Sequence, residues 1–107
     1  MSRKVPQLAP AMALAQLLQE HPELPPVHWS VSSHGLLEGY VESDDPMAGL
    51  AEYAALFGAE IVPAVRAFEH DGETLRSFEA STRWRDVPVR VKAIVPAAVE
   101  APLAVAA

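Results

Sequence analysis

The sequence of 107 residues contains no cysteine and no asparagine. The lack of cysteine excludes disulfide bonds, thiolate nucleophiles and cysteine-ligated metal sites. The lack of asparagine removes every acceptor for N-glycosylation. No apolar run approaches the roughly 18 residues that a membrane-spanning helix needs. We therefore expect a cytoplasmic soluble domain that has no membrane partner.

Basic residues are also scarce, and the net charge is −6. Residues 1–60 carry eight acids against two bases, whereas residues 61–107 carry six of each. An acidic protein repels phosphate-rich partners, so this charge argues against tight, nonspecific binding of nucleic acid. One local segment, residues 83–92, holds four bases and a single acid, which weakens this exclusion without overturning it.

A period-two pattern near the carboxyl end is the strongest structural signal. Arg90 and Lys92 alternate there with apolar side chains. This alternation predicts a strand with one buried and one solvated face, and it favours a one-sided antiparallel sheet. The apolar positions are Val87, Val89, Val91, Ala93 and Val95.

Helix signals occur twice. Apolar residues at helical spacing follow Pro10, which predicts a first helix over residues 10–20 that the prolines at 22, 25 and 26 stop. Asp44, Asp45 and Pro46 predict the start of a second helix, and Gly58 predicts its end. Strands are predicted over residues 27–31, 37–41, 60–68, 74–84 and 87–95, joined in part by turns at Gly35, at residues 71–72 and at residues 85–86.

The predicted fold is α+β with the order α-β-β-α-β-β-β, in which two helices pack on one face of a five-stranded antiparallel sheet. The opposite face is expected to carry His28, Ser30, Arg90 and Lys92. Residues 1–95 are predicted to form a single domain, followed by an Ala/Pro-rich tail over residues 96–107. In that tail, Val99, Leu103 and Val105 are expected to pack on the parent domain or on a neighbouring chain.

Several segments together resemble a small uncharacterised protein family of actinobacteria. They are the run from Leu24 to Trp29, the hairpin with Gly35, the helix that ends at Gly58, and the run from Arg83 to Val91. The resemblance covers about residues 10–95, and the heavy use of alanine, proline and arginine fits a GC-rich genome. It implies no activity, cofactor or site residue.

No motif predicts catalysis or a cofactor. The chain lacks a Gly-x-Ser-x-Gly elbow and a phosphate-binding glycine loop, and its four histidines never occur at His-x-x-x-His spacing. Glu42, Asp44 and Asp45 form an acidic corner that suits a divalent ion or a general acid/base pair, but helix capping already explains one of the aspartates. We predict that the protein is not an enzyme and has no catalytic residue, metal site or cofactor.

The best candidate binding residues form the basic segment around a tryptophan: Arg83, Trp84, Arg85, Arg90 and Lys92. In one interpretation Trp84 stacks on a base and the cations meet phosphates, which makes a weak nucleic-acid-binding protein. In the other, Trp84 lies beneath a helix and the cations solubilise the outer face. We favour a non-enzymatic protein-interaction module, since short strands leave two edges and one face uncovered. Its partner is expected to be a second copy, as a homodimer, or another protein.

Overall fold

A computed structural model describes residues 5–97 of the chain. It contains two helices and six strands: α1 (Leu8–Glu20), β1 (Val27–Val31), β2 (Leu37–Val41), α2 (Pro46–Phe57), β3 (Ile61–Pro63), β4 (Phe68–His70), β5 (Glu73–Trp84) and β6 (Val87–Pro96). The hypothesis about Val99, Leu103 and Val105 concerns a segment outside the described residues. Within residues 5–97, neither helix has the length and apolar character needed to cross a membrane.

The α+β class is confirmed, but the prediction of a purely antiparallel sheet of five strands is wrong. The sheet has the order β1-β2-β6-β5-β3, with β4 also paired to β5, and it is mixed because β2 and β6 run parallel. All other pairs are antiparallel. Strand β6 therefore lies at the centre of the sheet, with β2 on one side and β5 on the other.

The parallel pair follows from the path of the chain through α2. Since β3 is antiparallel to β5 and β5 is antiparallel to β6, β3 has the same direction as β6 and β2. The unit β2-α2-β3 is thus a crossover between parallel strands, for which a helix is the usual connection. The β5-β6 hairpin then fills the gap between β2 and β3.

The predicted strand over residues 60–68 is also wrong, because two short strands take its place. Pro63 ends β3, and a proline has no N–H to continue a ladder. The chain then leaves the regular pairing through residues 64–67, although the N–H of Ala64 still donates to the carbonyl of Ser77 at 2.8 Å. Pairing resumes at β4, which lies against the start of β5.

The core lies between the two helices and the inner face of the sheet. Val89 and Val91 of β6 are 2% and 0% exposed, which confirms the predicted alternation. Leu17 of α1 and Leu50 of α2 are equally enclosed above them. The helices therefore lie on one face of the sheet, as predicted.

Local signals for the helix and hairpin ends are confirmed. Asp45 caps α2, accepting a hydrogen bond from the N–H of Ala48 at 3.1 Å. Gly58 closes the helix with a φ of 63°, in the left-handed region that a glycine adopts without strain. Arg85 and Asp86 form the two-residue β5-β6 turn with φ values of 54° and 65°, the positive pair that a tight hairpin of type I′ needs.

Candidate interaction surfaces

The sheet has one face that neither helix covers, and we call it the open face. Strand register across β2 and β6 places Glu38 beside Arg90. The same register places Tyr40 beside Lys92, and Glu79 of β5 lies on the other side of that lysine. The register confirms all four residues that were predicted for this face: His28, Ser30, Arg90 and Lys92.

Four charged side chains in the middle of the open face form what we call the charge cluster: Glu38, Glu79, Arg90 and Lys92. Nη1 of Arg90 lies 3.5 Å from Oε2 of Glu38, and Nε of Arg90 lies 3.6 Å from Oε2 of Glu79. Nζ of Lys92 lies 3.4 Å from the same oxygen of Glu38. Partly exposed pairs of this kind add little to stability. Their importance here is that both cations have carboxylate partners and the cluster as a whole is neutral.

Apolar side chains lie beside the charge cluster on the open face, toward β3 and β4, and we call this group the apolar end: Val62, Phe68, Leu75 and Ile94. Ile94 in β6 is 37% exposed, and Val62 in β3 is 53% exposed. Phe68 lies directly opposite Leu75 across β4 and β5. Exposed apolar residues grouped beside charged ones are typical of protein-binding surfaces.

The five predicted binding residues do not share one surface. Trp84 lies opposite Val87 and belongs to the helix-covered face, where its ring centroid is 6.5 Å from that of Phe57. Arg90 and Lys92 belong to the open face, on the other side of the sheet. The structure thus brings these two cations together and separates them from the tryptophan.

The other two predicted binding residues lie at the turn between β5 and β6. The guanidinium carbon of Arg85 lies 4.3 Å from the Trp84 ring centroid. Its nitrogens donate to Gln16 at 2.7 Å and to Glu20 at 2.5 Å, so Arg85 ties the turn to α1. The hydrogen bond from Arg85 lowers the pKa of the Glu20 carboxyl. Arg83 lies in β5 opposite Pro88, on the open face next to the turn, and donates to the carbonyl of Asp86 at 3.2 Å.

The acidic corner has a structural role. The capping bond to Ala48 engages the Asp45 carboxylate, which confirms the capping prediction for one of the two aspartates. Asp44 and Glu42 are exposed beside it. Among residues 5–97, no three His, Asp or Glu side chains are grouped so that they could hold a metal ion.

A cavity of about 250 Å³, the edge pocket, opens between the carboxyl end of α1, Tyr53 of α2 and strand β1. Its apolar wall comes from Leu17, Leu18, Pro25 and Val27, and two aromatic rings complete it. These are Trp29 and Tyr53, which meet edge to face with centroids 5.9 Å apart and an interplanar angle of 77°.

The hydroxyl of Tyr53 holds the proline-rich connection that forms one wall of the edge pocket. It donates to the carbonyl of Pro25 at 2.8 Å. Burial, together with the charge of Glu52, raises the pKa of Tyr53 to about 12. The phenol is therefore neutral at physiological pH and keeps its proton for this bond.

Sequence reasoning missed both the acidic half of the charge cluster and the edge pocket. Glu38 and Tyr40 alternate with the buried positions of β2, and this period was the available signal for their exposure on the open face. Their contact with β6 had no such signal, because the partner strand is about 50 residues away in the chain and only the topology determines it. The pocket depends on how the end of α1, the side of α2 and an edge strand meet, which no local pattern encodes.

No family model, curated protein or solved structure matches the chain significantly. The resemblance to a small actinobacterial family therefore remains a prediction.

Proposed function

We propose that the protein is a non-enzymatic, cytoplasmic protein-interaction module that forms a two-fold homodimer through its open face. The main support is the neutrality of the charge cluster. In a two-fold interface a patch meets a copy of itself, so it must complement its own charge. A patch with two acids and two bases meets this condition, whereas a purely basic patch repels itself.

The pairing within the charge cluster also weighs against the nucleic-acid alternative. Phosphate binding needs cations that exchange counterions for phosphates. Arg90 and Lys92 instead have Glu38 and Glu79 as neighbours at 3.4–3.6 Å. A phosphate at this position would meet two carboxylates as well as the two cations.

The size of the open face supports a weak dimer. Five strands lie side by side. At a spacing of about 4.8 Å and a strand length of about five residues, they present roughly 24 by 17 Å. With side-chain relief, a dimer would bury about 1,000 Å² in total, which is near the lower limit for specific interfaces. The expected dissociation constant is therefore micromolar, on the order of 1–100 µM.

Sedimentation velocity over about 1–500 µM protein tests the proposal. The mass should rise from one chain to two across this range. Added salt should strengthen the association, because each subunit carries a net charge of −6 and salt screens the repulsion between them. A mass of one chain at the highest concentration would refute the dimer.

A pair of matched variants identifies the surface. Ile94→Glu places a charge on the apolar end and should weaken the dimer by about tenfold or more. Leu8→Glu makes the same change in polarity on α1, where Leu8 is 58% exposed on the helix side of the sheet, and should leave the mass distribution unchanged. If both variants weaken the dimer equally, the interface does not lie on the open face.

A further inference from the structure

Strand β1 is an edge of the sheet, and its main chain has a fixed orientation. The N–H of Glu42 donates to the carbonyl of Pro26, and the N–H of Ser32 donates to the carbonyl of Leu36. Even-numbered residues of β1 therefore bond to β2, and the main-chain groups of the odd-numbered residues point away from the sheet. The amide of Gln7 confirms this direction, because it donates to the carbonyl of Val31 from outside at 3.1 Å.

The outward-facing main-chain groups of Val27 and Trp29 lie directly beside the edge pocket, which both residues line. In a sheet, residues directly opposite each other on adjacent strands send their side chains to the same face. A peptide strand added to β1 would thus point the residue opposite Val27 or Trp29 toward the helix side, which is where the pocket opens. One bound peptide can therefore pair its main chain with β1 and, at the same time, insert a side chain into the edge pocket.

The electrostatics around the edge pocket favour a cation. The pocket lies at the carboxyl end of α1, whose last turn contains no basic residue, and a helix carboxyl end attracts positive charge. Glu23 belongs to the connection that forms the wall, and its carboxylate lies 3.6 Å from His21, a lining residue. Glu52 lies close enough to Tyr53 for its charge to act on the phenol. None of the residues that line the pocket is lysine or arginine.

We propose that β1 and the edge pocket bind an extended peptide segment of another protein in which basic residues flank an apolar side chain. The peptide adds as a strand to the outer edge of β1. Its apolar side chain enters the edge pocket between Trp29 and Leu18, and its flanking cations face Glu23 and Glu52. A second copy of this chain is a poor occupant, since two acidic rims would meet across a two-fold axis.

Fluorescence anisotropy with a labelled peptide, acetyl-Lys-Val-Leu-Val-Lys-amide, tests this proposal. Saturable binding is expected, and it should weaken as salt is added. Two matched peptides separate the contribution of charge from that of main-chain hydrogen bonding. The first has glutamates in place of the lysines, and the second has N-methyl groups on alternate amides. Both should bind at least about tenfold more weakly. Equal binding of the acidic peptide would overturn the charge assignment, and equal binding of the methylated peptide would overturn strand addition.

Protein variants locate the binding site. Glu23→Lys should weaken the binding of the basic peptide by about fivefold, because it reverses one exposed charge at the rim. Glu60→Lys makes the same change at an exposed position just before β3, on the opposite edge of the sheet, and should leave the affinity unchanged. In a Trp84→Phe background, the fluorescence of Trp29 should change on saturation. Equal effects of the two charge reversals, or an unchanged Trp29 signal, would refute the site.

Discussion

Adding a single methyl group at Gly39 tests how the β1-β2 hairpin packs beneath the helices. Gly39 is buried in β2 directly opposite Trp29 of β1, whose indole ring lies over it. A Cβ at this position would overlap Cγ1 of Val27 and lie 2.8 Å from Cε3 of Trp29. Neither contact involves the free end of a long side chain, so the indole or the strand would have to move.

Two opposing effects determine how Gly39→Ala changes the free energy of unfolding. Overpacking a buried position costs about 1–3 kcal/mol. Alanine also reduces the conformational freedom of the unfolded chain, which stabilises the protein by about 0.4–1 kcal/mol. The variant should therefore lose about 1–2 kcal/mol of unfolding free energy. For a domain of this size, the melting temperature should fall by roughly 5–15 °C.

Urea unfolding followed by far-UV circular dichroism measures this loss, and a double-mutant cycle assigns its cause. Val27→Ala removes the methyl group that the new Cβ would overlap. In that background Gly39→Ala should cost about 1 kcal/mol less than in the parent protein. The packing described for the hairpin would be refuted if Gly39→Ala were as stable as the parent to within about 0.5 kcal/mol. It would also be refuted if the cost of Gly39→Ala were the same with and without Val27→Ala.

Three further outcomes are expected. Asp45→Ala should lower the unfolding free energy by about 1 kcal/mol, because it removes the cap of α2, whereas Asp44→Ala should have little effect in the same urea titration. Glu20→Gln should alter how stability depends on pH. The Arg85 hydrogen bond lowers the pKa of Glu20, so the parent has extra stability above the ordinary pKa of the carboxyl and loses it as the pH falls through the lowered value. Melting temperatures measured at falling pH should therefore converge for parent and variant, and a constant difference would contradict the role of that bond. Labelled oligonucleotides at low salt should show no rise in fluorescence anisotropy when the protein is added, since the cations of the charge cluster are paired; saturable binding that weakens with salt would support nucleic-acid binding instead.

Most of the elements could be predicted because their signals are local. The alternation in β6 depends on neighbouring residues alone, and Asp45 with Pro46 starts a helix through main-chain groups within one turn. The turn at Arg85 and Asp86 was likewise found from its position between two alternating runs. Each of these predictions needs no knowledge of which strand lies beside which.

The errors arose where distant parts of the chain meet. Strand order decides whether β2 lies beside β1 alone or also beside β6, and two-residue hairpin signals describe only sequential neighbours. The order α-β-β-α-β-β-β does contain a strand-helix-strand unit, which is typical of a parallel crossover. Pro63 ends β3, an edge strand, and so divides the predicted strand over residues 60–68 into two short ones.

The five candidate binding residues are divided between two faces for a related reason. The five residues are close in sequence, but closeness in sequence does not place side chains on the same face of a sheet: Arg83, Trp84, Arg85, Arg90 and Lys92. Within each strand, however, successive side chains project from opposite faces, and the two-residue turn pairs even positions of β5 with odd positions of β6. Trp84 therefore shares a face with Val87 and Val89, whereas Arg90 lies on the other side of the sheet.

The two proposed binding surfaces are compatible because the sheet separates them. The open face lies on one side of β1 and β2, whereas the edge pocket opens on the helix side. Their charges also differ: the charge cluster is neutral and suits a second copy, whereas the pocket rim is acidic and suits a cationic strand. Since no residue of one surface lines the other, neither binding event removes contacts from the other. Peptide affinity should therefore be the same for the parent and for Ile94→Glu, and a peptide that changed the dimer mass would show that the two surfaces are coupled through the sheet.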